Sequence, residues 1–391
     1  LDKNMIKQDI PKIRFYSYQG SWTENRIADI VKISAGGDVD KVKLKESGKY
    51  PVIANALTNK GIVGFYEDYK VKAPAVTVTG RGDVGYAVAR HENFTPIVRL
   101  LTLQSEKIDV DYLENQINSM RILNESTGVP QLTAPQLGNY KVYHPKIEEQ
   151  SAIGTLFRTL DDLLSSYKDN LANYQSFKAT MLSKMFPKAG KTVPEIRLDG
   201  FEDEWEKGTI GEFGSFYYGK SAPKWSVTDE ATTPCVRYGE LYTKFSTKID
   251  KIYSYTSIPK ENLKLSSGNE VLVPRVGENP LDFANCSWLS LKDVAIGEMI
   301  SVYNTPNNPL FIAYYFNAKM RKEFAKRVEG GSVANLYYTY LENISISVPS
   351  LPEQQAIGSY FSNLDNLINS YQEKISQLET LKKKLLQDMF I

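Results

Sequence analysis

Apolar and aromatic residues fall into a 4-3 alternation in two places along the chain. The first runs through Ile153, Phe157, Leu160, Leu164, Tyr167, Leu171, Tyr174, Met181 and Met185, with Lys178 on the stripe. The second runs through Ile357, Phe361, Leu364, Ile368, Tyr371, Ile375, Leu378, Leu385 and Met389, with Lys382 at the matching place. A stripe of this period is the seam of a helix that packs lengthwise on another helix. Pro145 and Pro349 precede the two stretches and Pro187 follows the first, which sets their ends. About 36 helical residues at about 1.5 Å each make a rod on the order of 55 Å, too long to vanish inside one small core.

Elsewhere the period shortens. Tyr50–Ile53, Gly61–Tyr66, Ala75–Thr79 and Ile97–Leu101 are short apolar runs cut by Gly, Pro and Asn, as are Cys235–Tyr238, Glu270–Val273 and Met299–Tyr303. Such runs predict strands, and a helical stretch follows near Pro309–Arg327. The two seams therefore alternate with two β-rich segments.

The chain also repeats itself. Pro11-Lys-Ile-Arg-Phe15 returns as Pro194-Glu-Ile-Arg-Leu198 at an offset of 183, which also carries Trp22 onto Trp205, Ile27 onto Ile210 and Gly36 onto Gly219. Glu149-Gln150-x-Ala152-Ile153-Gly154 returns as Glu353-Gln354-x-Ala356-Ile357-Gly358 at an offset of 204, and Met185-Phe186 as Met389-Phe390. The centres, about 37–125 and 220–329, are unlike each other, and the second is longer by 21. Two near-copies whose long helices complement one another predict an α+β protein with a pseudo-twofold axis, a dumbbell with two β-rich globules separated by two antiparallel coiled-coil helices. The expected segments are 1–147, 148–187, 188–351 and 352–391.

Length, 391 residues, suits more than one core. Forty-seven Lys and Arg against forty-six Asp and Glu leave a net charge of +1, so a polyanion would have to be held by local patches. No apolar run approaches the roughly 18 residues needed to span a bilayer. Cys235 and Cys286 are the only cysteines, and no charged-then-apolar leader occupies Leu1–Lys12, which points to the cytoplasm and to no disulfide framework.

Motifs for chemistry fail on inspection. Gly214-Ser-Phe-Tyr-Tyr-Gly219-Lys220-Ser221 satisfies the Walker A pattern formally, but Pro223 discourages the required helix and three bulky rings sit where a loop must wrap phosphate. Gly80–Gly85 reads as a tight hairpin turn presenting Arg81, because no amphipathic helix follows it. His91 and His144 with two isolated cysteines fall short of a zinc set without several carboxylates. A nucleophile elbow is missing, and Asn308-Pro-Leu-Phe311 lacks the second proline of an adenine methyltransferase signature. Catalysis is therefore not expected on this chain.

A binding role remains. In the first centre Lys60, Thr77, Thr79, Arg81 and Arg90 are the candidate contacts. In the second they are Lys220, Lys224, Arg237, Tyr238, Lys244 and Arg275, with Arg321, Lys322 and Arg327 on the helical stretch. Arginine can pair bidentately with guanine, whereas Lys, Ser and Thr suit phosphate. The Ser126-Thr-Gly128 and Gly330-Gly-Ser332 turns occupy equivalent places and add Ser126 and Ser332 as phosphate contacts. For each of these the plain alternative is solvated surface charge or a structural turn.

Two unlike centres, two repeated helices and the signatures Glu149-Gln150-x-Ala152-Ile153-Gly154 and Leu351-Pro-Glu-Gln354 with Ala356-Ile357 resemble the specificity subunit of type I restriction-modification systems, over essentially the whole chain. The resemblance implies that each centre is a target recognition domain reading half of a bipartite site in double-stranded DNA. It implies that the coiled coil sets the spacer and docks two methyltransferase subunits. Methyl transfer from S-adenosylmethionine and DNA cleavage would then lie on the methyltransferase and restriction subunits, with no cofactor bound by this chain. A coiled-coil interaction scaffold without a nucleic-acid role is the alternative reading.

Overall fold

The computed structural model describes residues 10–120, 122, 129–220 and 222–391. The chain forms two compact units, residues 1–169 with 372–391 and residues 170–371. The division falls inside both long helices rather than at their ends, because each unit's core takes in the far end of one helix.

In the first unit β1 (Thr23–Arg26) and α1 (Ile27–Ile30) lead into β2 (Lys32–Ala35), β3 (Tyr50–Ile53), β4 (Ile62–Tyr66), β5 (Ala75–Thr79), β6 (Ala87–Arg90), β7 (Thr95–Pro96) and β8 (Leu100–Gln104). Next come α2 (Val110–Ser119), α3 (Ala134–Gly138), β9 (Lys141–His144) and the long α4 (Ile147–Lys184). The strands pair in the orders β2-β8-β5-β6, β4-β3-β7 and β1-β9. All five residues of β5, Ala-Val-Thr-Val-Thr, are buried, since the strand has neighbours on both edges and its β-branched side chains suit both faces. The strand predicted at Ile97–Leu101 starts instead at Leu100. Arg99 takes a left-handed backbone, φ 74°, and the Ile97 N–H donates to the Ile53 carbonyl, so a turn interrupts the apolar run.

The second unit follows the same opening and closing logic with a larger centre. β10 (Glu206–Thr209), β11 (Ser215–Tyr218), β12 (Thr233–Val236), α5 (Tyr238–Thr243), β13 (Lys248–Ile249), β14 (Ser254–Thr256), β15 (Leu265–Ser267) and β16 (Glu270–Pro274) come first. Then follow β17 (Val276–Gly277), β18 (Ser287–Leu289), β19 (Lys292–Ile296), β20 (Ile300–Asn304), α6 (Pro309–Tyr315), α7 (Arg321–Ala325), β21 (Glu329–Gly330), β22 (Ala334–Asn335), β23 (Ser345–Val348) and α8 (Leu351–Asp388). The sheets run β11-β20-β16-β18-β13, β14-β12-β19-β15, β17-β22-β21 and β10-β23. β10 with β23 repeats what β1 with β9 does, tying the start of a globule to its end. Ser215–Tyr218 of the Walker-like segment is extended as β11, and among the described residues the segment forms no phosphate loop.

Both long helices contribute to each unit, and within each unit they run antiparallel. In the first, Phe157 packs on Phe390 with centroids 5.6 Å apart, Asp161 pairs with Lys382, and Lys168 pairs with Glu379 at 2.7 Å. In the second, Phe186 stacks on Phe361 at 5.8 Å, Lys178 pairs with Asp365, and Tyr174 packs on Tyr371 at 5.4 Å. Partner numbers fall as helix numbers rise, which is antiparallel order. Ile153, Phe157, Leu160, Leu164, Ile357, Phe361, Ile368 and Ile375 are buried, while Leu171, Leu364 and Leu378 are half-buried. The seam lysines Lys178 and Lys382 each meet the aspartate of the repeated Leu-Asp pair, so the polar interruptions of the two stripes are mutually satisfied.

The repeated Glu-Gln-x-Ala-Ile-Gly segment anchors each helix to its globule. Gln150 accepts from the Asp109 N–H at 2.9 Å and donates to the Pro145 carbonyl at 2.8 Å. Gln354 accepts from the Asn308 N–H and donates to the Pro349 carbonyl, both at 2.8 Å. Asp109 and Asn308 are themselves the N-caps of α2 and α6.

Candidate nucleic-acid interface

In the second unit three of the sequence-predicted cations gather round one turn. β12 runs parallel to β19 with Val236 opposite Ile296, so Arg237 and Gly297 leave the sheet side by side, and the Gly297 N–H donates to the Val236 carbonyl at 3.0 Å. The Lys220 N–H donates to the Ile296 carbonyl at 2.8 Å, and the Arg275 N–H to the Met299 carbonyl at 3.1 Å. Lys220, Arg237 and Arg275 thus emerge from β11, β12 and β16 beside the β19–β20 turn, which also carries Glu298. Glycine is required at 219, where an added Cβ would lie 2.1 Å from the Gly297 carbonyl oxygen. Strand ends converging on a turn place long side chains where a ligand can meet several at once.

The neighbours of this cluster differ in use. β17 and the hairpin β21–β22 form one small sheet, so Arg275, just before β17, and Ser332, at the exposed hairpin tip, share a scaffold. Tyr238 is 36% exposed at the start of α5. Lys244 pairs with Glu240 at 3.3 Å and lies over the Tyr253 ring. Arg321 pairs with Asp282 on the surface and Arg327 with Glu323, which also takes Lys326, while Lys322 is exposed.

In the first unit Arg81 is exposed on the β5–β6 hairpin turn, as predicted, and Asn55 clamps the turn by accepting from the Gly80 and Arg81 N–H groups and donating to the Arg81 carbonyl at 2.6 Å. Arg90 donates to the Thr77 hydroxyl at 2.9 Å and to the Lys60 carbonyl at 2.7 Å. Lys60 itself is exposed with φ 49°. Thr77 and Thr79, expected to touch phosphate, are buried, and their hydroxyls donate to the carbonyls of Val88 and Asp83. They support the surface from behind. Ser126 lies outside the described residues.

Burial shifts the proton affinity of two groups here. Arg90 is pushed down to about 10, chiefly by loss of solvent. Glu114, on α2, is pushed up to about 7 by burial and then by the charge of Asp161. Glu114, Lys60, Tyr86, Asp161 and Lys382 line a cavity of about 700 Å³ within this unit.

Sequence reasoning missed the aromatic partners. Tyr218 and Tyr337 flank the Arg275 guanidinium, and Trp225, 73% exposed, stands beside Lys224. Only the basic-aromatic sequence Pro223-Lys-Trp225 could have signalled the last. Among the described residues no helix is long and apolar enough to cross a membrane.

The chain matches the model of the type I restriction modification DNA specificity domain twice, over residues 19–173 and 202–380. A type I restriction enzyme specificity subunit of Methanocaldococcus jannaschii, MjaVIII, is 22% identical over 93% of this chain and 91% of its own. A putative type I specificity subunit of Mycoplasma genitalium is 20% identical over 94% of both. Among solved structures, the S subunit of a type I restriction-modification system from M. genitalium shares the fold with a TM-score of 0.66, at 16% identity, over 98% of this chain and 99% of that one. The doubled match, the repeated Glu-Gln anchors and the antiparallel helix pairs agree, and the chain belongs to the type I restriction-modification DNA specificity family.

Proposed function

We propose that this chain recognises a bipartite site in double-stranded DNA, the centre of each unit reading one half. The observation that carries the reading is the convergence of Lys220, Arg237 and Arg275 on one turn of the second unit, in a chain whose two centres differ while their frames repeat. Cations on a rigid sheet edge serve both tasks of such a protein, since lysines attract phosphates and arginines can address base edges. The long helices set the unread gap between the half-sites and present a surface for two methyltransferase subunits. Methyl transfer, with S-adenosylmethionine, and DNA cleavage belong to partner chains in a complex that also holds restriction subunits, and this chain works in the cytoplasm.

The test is a domain exchange. Residues 37–125 are replaced by the corresponding segment of another family member, and modified adenines are mapped in cells carrying the system. One half of the recognised sequence is expected to change and the other to persist. A change in both halves, or in neither, overturns the modular reading. The purified chain alone is expected neither to methylate nor to cut DNA with any cofactor supplied.

A further inference from the structure

Arg275 is held by its backbone and by two aromatic rings. Its N–H donates to Met299, and its carbonyl accepts from the Leu336 N–H at 2.8 Å, which fixes its backbone between the β19–β20 turn and the end of β22. Its guanidinium carbon lies 4.4 Å from the centroid of the Tyr218 ring and 5.5 Å from that of Tyr337. Tyr218 packs on Tyr338 at 4.6 Å, Tyr338 stacks on Phe216 with planes 6° apart, and Phe216 packs at 4.7 Å on Tyr303, which is wholly buried. A ladder of rings therefore runs from the core to this one cation. Nε is buried and, among the described residues, has no hydrogen-bond partner, and no carboxylate pairs with the guanidinium. Arg321 and Arg327, by contrast, are paired with Asp282 and Glu323.

Freezing a long side chain is entropically costly, and here no internal ion pair offsets the cost. What results is a planar fork of fixed direction with its charge left over, suited to two acceptors in one plane. A phosphate accepts a cation from many directions, and the unclamped Lys220 beside it already suits that contact. The O6 and N7 atoms of guanine are the paired in-plane acceptors of the major groove.

We infer that Arg275 determines specificity in the second half-site by donating its two terminal N–H groups to O6 and N7 of a guanine, with Tyr218 and Tyr337 as positioning residues. The inference rests on the DNA-recognition reading above.

The test uses the complete complex with its methyltransferase subunits. Once the methylated sequence is mapped, duplexes are made in which each guanine of the second half-site is replaced in turn by 7-deazaguanine, which lacks N7. The wild-type complex is expected to lose roughly 3- to 10-fold in affinity at one guanine only, about half of one good bidentate contact because O6 is retained. Arg275→Lys should lose that discrimination and be indifferent to the replacement, while its thermal midpoint stays at the wild-type value. Tyr337→Leu should blunt discrimination at the same base pair, and Tyr337→Phe should restore it. If Arg275→Lys does not fold, the base replacements and the Tyr337 pair still decide. Unchanged discrimination at every guanine, a second half-site without guanine on either strand, or a loss in Arg275→Lys uniform across all sequences, as a phosphate contact gives, overturns the inference and leaves DNA recognition intact. A wild-type complex without sequence preference overturns the DNA reading itself.

Discussion

Arg197 grips Glu353 with two parallel hydrogen bonds of 2.8 and 2.7 Å, and the Trp205 indole N–H donates to the same carboxylate at 3.4 Å. Arg14 and Glu149 repeat the pairing in the first unit at 2.6 and 2.7 Å. In each unit the arm that opens the repeat is thus fastened to the first turn of the helix that closes it, where a carboxylate also faces the favourable end of the helix dipole. The Glu353 side chain is 1% exposed, so Arg197 is the cation that faces a carboxylate shut off from solvent.

Arg197→Met should therefore strand a buried carboxylate and destabilise the second unit by about 3–5 kcal/mol. Hydrogen exchange would read this unit by unit, with protection falling across residues 170–371 and holding in the first unit. A loss near that of an exposed pair, below about 1 kcal/mol, would show that Glu353 is satisfied without Arg197.

The two glycines of the repeated anchor should respond differently. A Cβ on Gly154 would lie 2.6 Å from Asp109 Oδ1 and 2.9 Å from the Tyr112 nitrogen, whereas on Gly358 the nearest atom is 3.4 Å away. Gly154→Ala is expected to cost about 1–3 kcal/mol by forcing the α2 N-terminus off the helix. Gly358→Ala should be neutral or gain up to about 1 kcal/mol from helix propensity. Equal effects in urea melts would refute the contrast.

Stability should fall as pH rises past Glu114. Its carboxyl is pushed up to about 7, so the native state holds the proton more tightly than the unfolded chain does. That contribution is complete below about pH 4 and is lost as pH rises through about 7. Glu114→Gln should match wild type near pH 4 and be more stable by about 1–3 kcal/mol near pH 8. A difference between the two proteins that stays constant over this range would count against the raised value.

Helix length should govern the unread gap. Because the helices pair antiparallel within each unit, a four-residue insertion is needed in both, after Asp169 in α4 and after Tyr371 in α8. Each lengthens its helix by about 6 Å, which should widen the gap by one or two base pairs at about 3.4 Å each while both half-sites stay the same. An active insertion variant that keeps the parental gap would leave the helices as docking surfaces only.

What the sequence determined by itself is whatever depends on spacing along the chain. The 4-3 stripes specified two long helices with seams at Ile153 to Met185 and Ile357 to Met389. The short apolar runs specified most strands, and the two offsets specified the repeated frame. These signals are local, since a face repeats every three or four residues whatever lies opposite it. The tertiary structure alone decided who meets whom. Arg14, Glu149, Arg197 and Glu353 were all visible as repeats, yet nothing in spacing says that an arginine pairs with a glutamate 135 positions on in one copy and 156 in the other. Thr77 and Thr79 have the composition of phosphate contacts, and two flanking strands bury them instead. The ring ladder behind Arg275 joins Phe216, Tyr218, Tyr303 and Tyr338 from distant segments, because antiparallel pairing puts β11 beside β20 and so beside the core. Such contacts depend on the path of the chain through space, which periodicity along the sequence does not encode.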